Sequence, residues 1–283
     1  MKDVITSTSN PRIVDARKLT QKKHRLQQNR FAAAGLQILE MAVEGMASTR
    51  MASRIRPLDV FFCEELFVSD MARRILTELT AAGASEVAVS QRVLETLSDR
   101  ELSQGLVGTF EIKSLLHSLD ELNSDDGKQP RLLVVLDRPQ YPGNAGTLIR
   151  TADAVGADAI ILIEPAVDTF APKSIRAAMG SIFAIPIVRL SDIATLESWG
   201  RNAGIRWVGA DASAGHTVWD CDAMAGSIGL LLGNEGEGLQ PQLQQLAAST
   251  IRLPQRGGAE SLNVSIAGGI LMYEWMRVNR PDS

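Results

Sequence analysis

The sequence has little cysteine and little histidine, which narrows the chemistry open to it. Two cysteines, Cys63 and Cys221, and three histidines occur in 283 residues. The cysteines form no Cys-x-x-Cys pair, so the pattern gives no support to a disulfide framework or a structural zinc site. No histidine lies in a local hydrolase motif. We therefore expect a protein without metal from a reducing compartment.

Long hydrophobic runs and nucleotide-binding signatures are also missing. The sequence has no stretch of about 18 apolar residues, and its first ten residues are polar instead of a basic and then apolar leader. It contains no Gly-Lys-Ser or Gly-Lys-Thr, so a P-loop with ATP chemistry has no support. These absences predict a cytoplasmic protein with no membrane association.

The pattern of apolar residues predicts two domains joined by a linker. Residues 1–113 read as a small α/β domain, and residues 114–130 are rich in Ser, Asp, Gly and Asn, as a linker is. From residue 131 to residue 283, short apolar strands alternate with helices. Such alternation requires a mainly parallel sheet covered by helices on both faces. The predicted fold class is therefore α/β.

Positive charge is concentrated at the front of the chain. Residues 1–60 hold 11 Lys and Arg against 5 Asp and Glu, although the whole chain has a net charge of -4. One helical-looking segment carries most of these cations, which indicates contact with a phosphate backbone. A solvated charged helix would look similar, and no aromatic side chains are interleaved to stack on bases. The predicted RNA-binding residues are Arg17, Lys18, Lys22, Lys23, Arg25 and Arg30.

The last part of the chain combines a short strand, a glycine-rich turn and a long helix. Ser261 is a suitable N-cap for this helix, which contains the adjacent glycines Gly268 and Gly269. Two glycines inside a helix cost roughly 1 kcal/mol each relative to alanine, so something must approach the helix closely. Either tight helix packing or a cofactor or partner subunit would explain them.

Three loops in the C-terminal half follow predicted strands, and the carboxyl ends of parallel strands are where ligands bind. The loops cover residues 137–146, 233–238 and 253–265. The second loop is glycine-rich, but it is not Gly-x-Gly-x-x-Gly and does not follow the first strand, so a dinucleotide site is disfavoured.

In this order the loops resemble the three motifs of the SPOUT superfamily of RNA methyltransferases, specifically the SpoU (TrmH-type) branch that methylates ribose 2′-hydroxyls. The motifs read Asn144-x5-Arg150-Thr151-Ala152, Leu232-Gly233-Asn234-Glu235-Gly236-x-Gly238-Leu239 and Leu253-Pro254-x6-Ser261-Leu262-Asn263-Val264-Ser265. At the front, Ile5-Thr6-Ser7-x2-Asn10-Pro11 and the basic helix are similar to the family's small L30-like substrate-binding domain.

The resemblance implies a C-terminal domain with a deep trefoil knot that binds S-adenosylmethionine and forms a homodimer, each site being completed across the interface. The catalytic residues it implies are Arg150, Asn144, Glu235, Ser261 and Asn263. The cofactor-binding residues that we expect are Gly233, Leu253, Leu262, Asn234 and Gly258.

The roles of these residues follow from their chemistry. Arg150 matches a residue often assigned as the base, but a guanidinium keeps its proton in proteins and is better suited to holding a phosphate and stabilising alkoxide charge. The remaining catalytic residues would orient the ribose or each other. We expect an RNA 2′-O-methyltransferase that acts on ribosomal RNA, since a separate front domain suggests a large target. A transfer-RNA 2′-O-methyltransferase and a non-catalytic RNA-binding protein with the same fold remain alternatives.

Overall fold

The structure is a computed structural model that describes residues 3–98, 103–123, 130–219, 222–258 and 261–279. The chain divides into two compact units, of which the first contains residues 1–115 and 170–184 and the second contains residues 116–169 and 185–283. The short segment 170–184 lies within the range predicted for the C-terminal domain, yet it belongs to the first unit. No helix among the described residues has the length and apolar character needed to cross a membrane.

The first unit is built on a four-stranded mixed sheet. Its elements, numbered in chain order, are the strands β1 (Arg30–Ala34), β2 (Pro57–Phe62), β3 (Ser85–Ala88) and β4 (Leu106–Glu111) and the helices α1 (Pro11–Arg17), α2 (Lys22–Gln28), α3 (Leu36–Ala47), α4 (Asp70–Ala81), α5 (Gln91–Leu94) and α7 (Pro172–Ala178). The strand order is β1-β4-β2-β3. β4 pairs antiparallel with β1 and β2, and β3 pairs parallel with β2.

The basic segment at the front forms two short helices instead of the single predicted helix. Asn10 caps α1 by accepting a hydrogen bond from the backbone N–H of Arg12 at 3.0 Å. α1 ends at Arg17, a 3-10 turn follows, and Gln21 is extended with φ -102° and ψ 131° before α2 begins. The break lets Leu19, which is 2% exposed, enter the core.

Aromatic packing explains why residues 170–184 belong to the first unit. The ring of Phe170 lies 5.0 Å from that of Phe31, and the ring of Phe183 lies 4.7 Å from that of Phe110, measured between centroids. All four side chains are almost fully buried. Burial of one such side chain typically contributes about 1.5–3 kcal/mol, so the two phenylalanines at the ends of the segment anchor it firmly.

The second unit contains an eight-stranded sheet in which every neighbouring pair is parallel. Its elements are the strands β5 (Leu116–His117), β6 (Leu132–Asp137), β7 (Ala159–Ile163), β8 (Ile187–Leu190), β9 (Arg206–Ala210), β10 (His216–Thr217), β11 (Ile228–Leu232) and β12 (Ser249–Arg252) and the helices α6 (Pro142–Ala154), α8 (Ile193–Asn202), α9 (Pro241–Leu246) and α10 (Val264–Asn279). The order is β10-β12-β9-β11-β6-β7-β8-β5. The predicted parallel α/β fold is confirmed.

The paired glycines of α10 have different surroundings. A Cβ on Gly268 would lie 2.6 Å from Leu148 Cδ2 and 2.7 Å from Leu232 Cδ1, so the missing side chain lets α10 pack closely on α6 and β11. A Cβ on Gly269 would meet nothing nearer than Thr151 Cγ2 at 3.8 Å. Of the two explanations considered, tight helix packing therefore accounts for Gly268.

Candidate active site

The three motif loops leave the carboxyl ends of strands in one parallel sheet. β6 and β11 are direct neighbours, so residues 137–144 and 233–240 emerge side by side. The third loop, residues 253–263, follows β12 and leads into α10. Side-chain hydrogen bonds connect all three loops.

Glu235 holds the beginning of α6. Its Oε2 accepts the backbone N–H of Gln140 at 3.1 Å, and its Oε1 accepts the backbone N–H of Tyr141 at 3.4 Å. The same Oε1 accepts from Asn144 Nδ2 at 3.0 Å. Gln140 and Tyr141 precede the helix, so Glu235 fixes the turn that leads into α6. Its negative charge near the N-terminus of the helix is favourable, and the same carboxylate orients Asn144.

Asn263 extends this connection to the third loop. Its Nδ2 donates to Asn144 Oδ1 at 3.2 Å. Its Oδ1 accepts from the backbone N–H and the hydroxyl of Ser265 at 2.9 and 2.6 Å. Asn263 is thus the cap of α10, and the prediction that Ser261 caps this helix is wrong because the helix begins at Val264. Ser261 is exposed two residues earlier.

A second network, missed in the sequence, locks the first two loops together. Asp137 is 1% exposed, and its carboxylate accepts from the backbone N–H of Gln240 at 2.7 Å and from Gln240 Nε2 at 2.6 Å. Arg138 Nε donates to Asp137 at 3.0 Å, and Arg138 Nη1 donates to Glu237 at 2.7 Å. The hydrogen bond to Asp137 raises the pKa of Arg138, with Glu237 adding to the effect. The sequence did contain one signal for this network, which is the carboxylate of Asp137 at the end of an otherwise apolar strand.

The second loop uses its polar groups internally. Asn234 is 6% exposed, its Nδ2 donates to the carbonyl of Arg138 at 2.8 Å, and its Oδ1 accepts from the N–H of Gly236 at 2.9 Å. A Cβ on Gly233 would lie 2.5 Å from the backbone carbon of Gly238. Both residues therefore shape the loop, and the side chain of Asn234 is engaged by protein groups. Their contact with the cofactor stays a prediction.

The third loop presents open backbone and one unsatisfied acceptor. A Cβ on Gly257 or Gly258 would have no atom of the described residues within 4 Å. Gln255 Oε1 is buried and has no hydrogen-bond partner among the described residues. Leu253 is partly buried, and Leu262 is 38% exposed. In this loop, the backbone at Gly257 and Gly258 and the acceptor Gln255 Oε1 are available to a ligand.

Arg150 lies apart from the hydrogen-bonded cluster. It follows Asn144 by six residues on α6, which is about 9 Å along the helix and on a different side of it. The residue is exposed, and its guanidinium forms no hydrogen bond or ion pair with any residue that the structure describes. The structure therefore does not bring Arg150 together with Asn144 and Glu235 within one chain.

The six predicted RNA-binding residues divide by burial. Arg25 is 3% exposed and donates to the carbonyl of Leu19 at 2.6 Å, so its predicted role is corrected to a structural one. Arg30 is paired with Asp59 at 2.8 Å, and its side chain is 17% exposed. The cations that remain at the surface are Arg17, Lys22, Lys23 and, in an ion pair with Asp15, Lys18.

Comparison with known proteins identifies the family. Residues 131–273 match the SpoU rRNA Methylase family, and residues 10–108 match the MRM3-like substrate binding domain. The first match spans all three loops described above. The chain belongs to the SpoU rRNA methylase family.

This member of the SpoU rRNA methylase family is similar to several RNA methyltransferases. It is 30% identical to the 23S rRNA (guanosine(2553)-2′-O)-methyltransferase RlmP of Bacillus subtilis over 95% of this chain and 97% of the relative. It is 33% identical to a 23S rRNA (uridine(2479)-2′-O)-methyltransferase of Streptomyces viridochromogenes over 74% of this chain and 72% of that one. The AdoMet-bound rRNA methyltransferase of Sinorhizobium meliloti matches with a TM-score of 0.83 and 33% identity over 97% of both chains.

Proposed function

We propose that this protein transfers a methyl group from S-adenosylmethionine to a ribose 2′-hydroxyl of ribosomal RNA. The observation that carries the proposal is the hydrogen-bonded chain from Glu235 through Asn144 to Asn263, because it joins the loops that contain all three family motifs. The two relatives described above methylate 2′-oxygens of 23S rRNA and are 30% and 33% identical to this chain.

The third loop fits S-adenosylmethionine. Gln255 Oε1 is a buried acceptor without a partner among the described residues, and an adenine amino group would supply the missing donor. Gly257 and Gly258 leave the loop backbone open to close approach. The residues to which we assign the cofactor are Leu253, Gln255, Gly258, Leu262 and the backbone of Gly233.

The cofactor supplies an electrophilic methyl group on a positively charged sulfur, so the protein's task is to position the attacking oxygen. Asn144 and Asn263 carry amide groups that can donate to and accept from a ribose hydroxyl, and Glu235 fixes the orientation of the first. Ser261 lies on the exposed part of the same loop as Asn263 and offers a further hydroxyl. These groups would hold the ribose while its 2′-oxygen takes the methyl group. The sulfur–methyl bond would break to leave a neutral thioether, and the hydroxyl proton would pass to solvent.

We propose that the second unit forms a homodimer through α10. The helix and its approach present an apolar stripe to the surface, formed by Leu262, Ile266, Ile270 and Tyr273, which are 38%, 55%, 42% and 49% exposed. Intervals of four, four and three residues place these side chains on one face. A contiguous apolar stripe on a protein surface usually marks an interface. A second copy is the occupant that the family resemblance implies.

A dimer would also give Arg150 a place in the chemistry. Arg150 is exposed on α6, the helix on which α10 packs, so it borders the proposed interface. From there it would reach the cluster of the partner chain instead of its own. In that position a guanidinium can hold a phosphate next to the target ribose and stabilise negative charge on the 2′-oxygen.

We further propose that the end of the chain is threaded as a trefoil knot. The support is family membership and the positions of β12 and Asn263. β12 lies outside β9 in the sheet, yet Asn263 reaches Asn144 beyond β6. The chain must therefore run back past β9 and β11, close to the loop of residues 233–240.

The first unit is proposed to bind the RNA as an L30-like domain. The support is its match to a substrate binding domain and the surface cations Arg17, Lys22 and Lys23. Ribosomal RNA as the substrate places the protein in the cytoplasm.

A labelled-methyl assay tests the proposed function. The purified protein, S-adenosylmethionine with a tritiated methyl group and a chelator are incubated with ribosomal RNA or with transfer RNA. Label in ribosomal RNA is the expected result. Label in transfer RNA alone would show that transfer RNA, and not ribosomal RNA, is the substrate. The absence of label in both RNAs and in ribosomal particles would indicate a non-catalytic RNA-binding protein.

A further inference from the structure

The first unit contains a pocket of about 320 Å³ for which the proposed methyl transfer has no use. Ala32 and Ala34 form its floor on β1. Side chains alternate along a strand, so these two alanines share a face, while Phe31 and Ala33 point into the core. Their small size leaves the space open. Its volume lies within the range of sites that bind small organic molecules.

The walls of the pocket suit a flat, largely apolar group. Leu19, Ile38 and Ile175 line it together with Phe170, and all four are at most 6% exposed. These side chains offer apolar surface and one aromatic ring, a combination that accepts a planar heterocycle. An aliphatic or strongly charged ligand would gain less from them.

Polar groups occur at a few positions of the same pocket. Thr20, Glu95, Thr96, Ser98 and Arg176 line it. Ser98 Oγ is buried without a hydrogen-bond partner among the described residues. A carboxylate accepts N–H groups, whereas a hydroxyl both donates and accepts. The ring nitrogens, amino groups and carbonyls at the edge of a nucleobase match this set.

Positive charge is close to the pocket lining along the sequence. Leu19 and Thr20 belong to its lining, and in the sequence they stand between Arg17 and the pair Lys22 and Lys23, whose side chains are exposed. A ligand that carries phosphates beside its flat ring would satisfy both the pocket and these cations. A nucleotide within a single-stranded RNA segment has this chemistry.

We propose that the pocket receives one unpaired nucleobase of the RNA substrate while Arg17, Lys22 and Lys23 hold the adjoining phosphates. This inference rests on the proposed function in so far as the RNA is the substrate. It adds a recognition site in the first unit, separate from the ribose that is methylated. Recognition of RNA by splaying out and stacking single bases is common, and each stacked base contributes about 1–3 kcal/mol.

The test fills the pocket by Ala34→Leu. The matched control is Ala81→Leu, at an exposed position of α4 outside the pocket. We expect Ala34→Leu to raise KM for ribosomal RNA roughly tenfold or more, since one base–protein contact is lost. Thermal unfolding, affinity for S-adenosylmethionine and the KM of Ala81→Leu should match those of the parent. An unchanged KM in a folded Ala34→Leu variant would overturn the inference.

A crosslinking measurement on the unaltered protein makes the test independent of any variant. A short single-stranded RNA with one 4-thiouridine is bound, irradiated and digested, and the attached peptide is identified by mass spectrometry. We expect crosslinks in the peptides that contain Leu97, Phe170 or Ile175, competed by unlabelled RNA and not by uridine monophosphate. Crosslinks confined to other peptides would contradict the inference, and competition by the mononucleotide would assign the pocket to a free nucleotide. If the parent methylates RNA and the pocket results are negative, only this inference fails; if the parent methylates no RNA, the proposed function fails.

Discussion

Asn144 Nδ2 lies 3.0 Å from Glu235 Oε1, although the two residues are 91 positions apart in the chain. The contact joins the first turn of α6 to the loop after β11, and Asn263 adds the third loop through the other end of the same amide. One side chain therefore connects all three motifs. The spacing of the three motifs has a geometric meaning here, because each motif supplies one member of a hydrogen-bonded row.

Glu235→Gln should lower turnover at least tenfold with little change in affinity for S-adenosylmethionine. The glutamine amide keeps one acceptor oxygen, so its NH2 group would face either Gln140 or the pair Tyr141 and Asn144, and the hydrogen bonds on that side are lost. Hydrogen bonds to a charged group contribute about 1.5–3 kcal/mol each. Single-turnover kinetics with saturating cofactor measures the effect. Glu237→Gln, at the more exposed neighbour, is the control. Parental turnover in Glu235→Gln would show that the carboxylate is dispensable.

The adjacent glycines of α10 should respond oppositely to alanine. Gly268→Ala would force Leu148 and Leu232 to move and should reduce the free energy of unfolding by about 1–3 kcal/mol. Gly269→Ala has room and should raise it by up to about 1 kcal/mol through helix propensity. Urea denaturation of both variants gives the comparison. Equal effects in the two variants would contradict the packing described for Gly268.

Charge placed in the apolar stripe of α10 should separate the proposed dimer. Ile270→Glu introduces a carboxylate at a side chain that a partner would bury, and sedimentation at micromolar concentration should then show a monomer with impaired turnover. Val68→Glu, at a residue of the first unit that is 78% exposed, is the control and should sediment as the parent does. A parent that is itself monomeric, or an Ile270→Glu variant that stays dimeric, would rule out this interface.

Reversal of charge at Lys22 and Lys23 should weaken RNA binding and reduce its dependence on salt. The loss of two phosphate contacts lowers the slope of log affinity against log salt by about 1.4 for single-stranded RNA. Filter binding from low to moderate salt measures the slope. The same number of charges reversed at the exposed Arg73 and Arg201 should leave it unchanged. Equal slopes for both double variants and the parent would show that Lys22 and Lys23 are solvent-exposed residues that do not contact RNA phosphates.

Strands with continuous apolar runs were predictable from the sequence, whereas contacts between distant segments were not. β7 and β11 are buried at every position, and so is β6, in which only the last residue, Asp137, is charged. The two-residue strands β5 and β10 have no such signal. Phe170 and Phe183 gave no sign of joining the first unit, since their partners lie far away in the chain.

The sequence predicted which residues form the site better than it predicted which hydrogen bonds they make. The predicted members Asn144, Glu235 and Asn263 form one cluster. Their hydrogen-bond partners could not be predicted from the sequence, because a hydrogen bond such as that from Ser265 to Asn263 depends on where the helix begins. Likewise, a cluster of basic residues in a sequence does not show which of them face the core. Arg25 was therefore predicted to bind RNA although it is buried.

The position of the transferred methyl group tests the central claim most directly. Ribosomal RNA labelled by the parent protein is hydrolysed in alkali. Alkali cleaves a phosphodiester bond only where the adjacent 2′-hydroxyl is free. The products are separated and identified by mass spectrometry. We predict that the label remains in alkali-resistant dinucleotides with a methylated ribose. Arg150→Lys keeps the charge but loses the two-pronged grip of the guanidinium, so it should yield little of this product while it binds cofactor normally. Label recovered in mononucleotides with a methylated base would contradict the account.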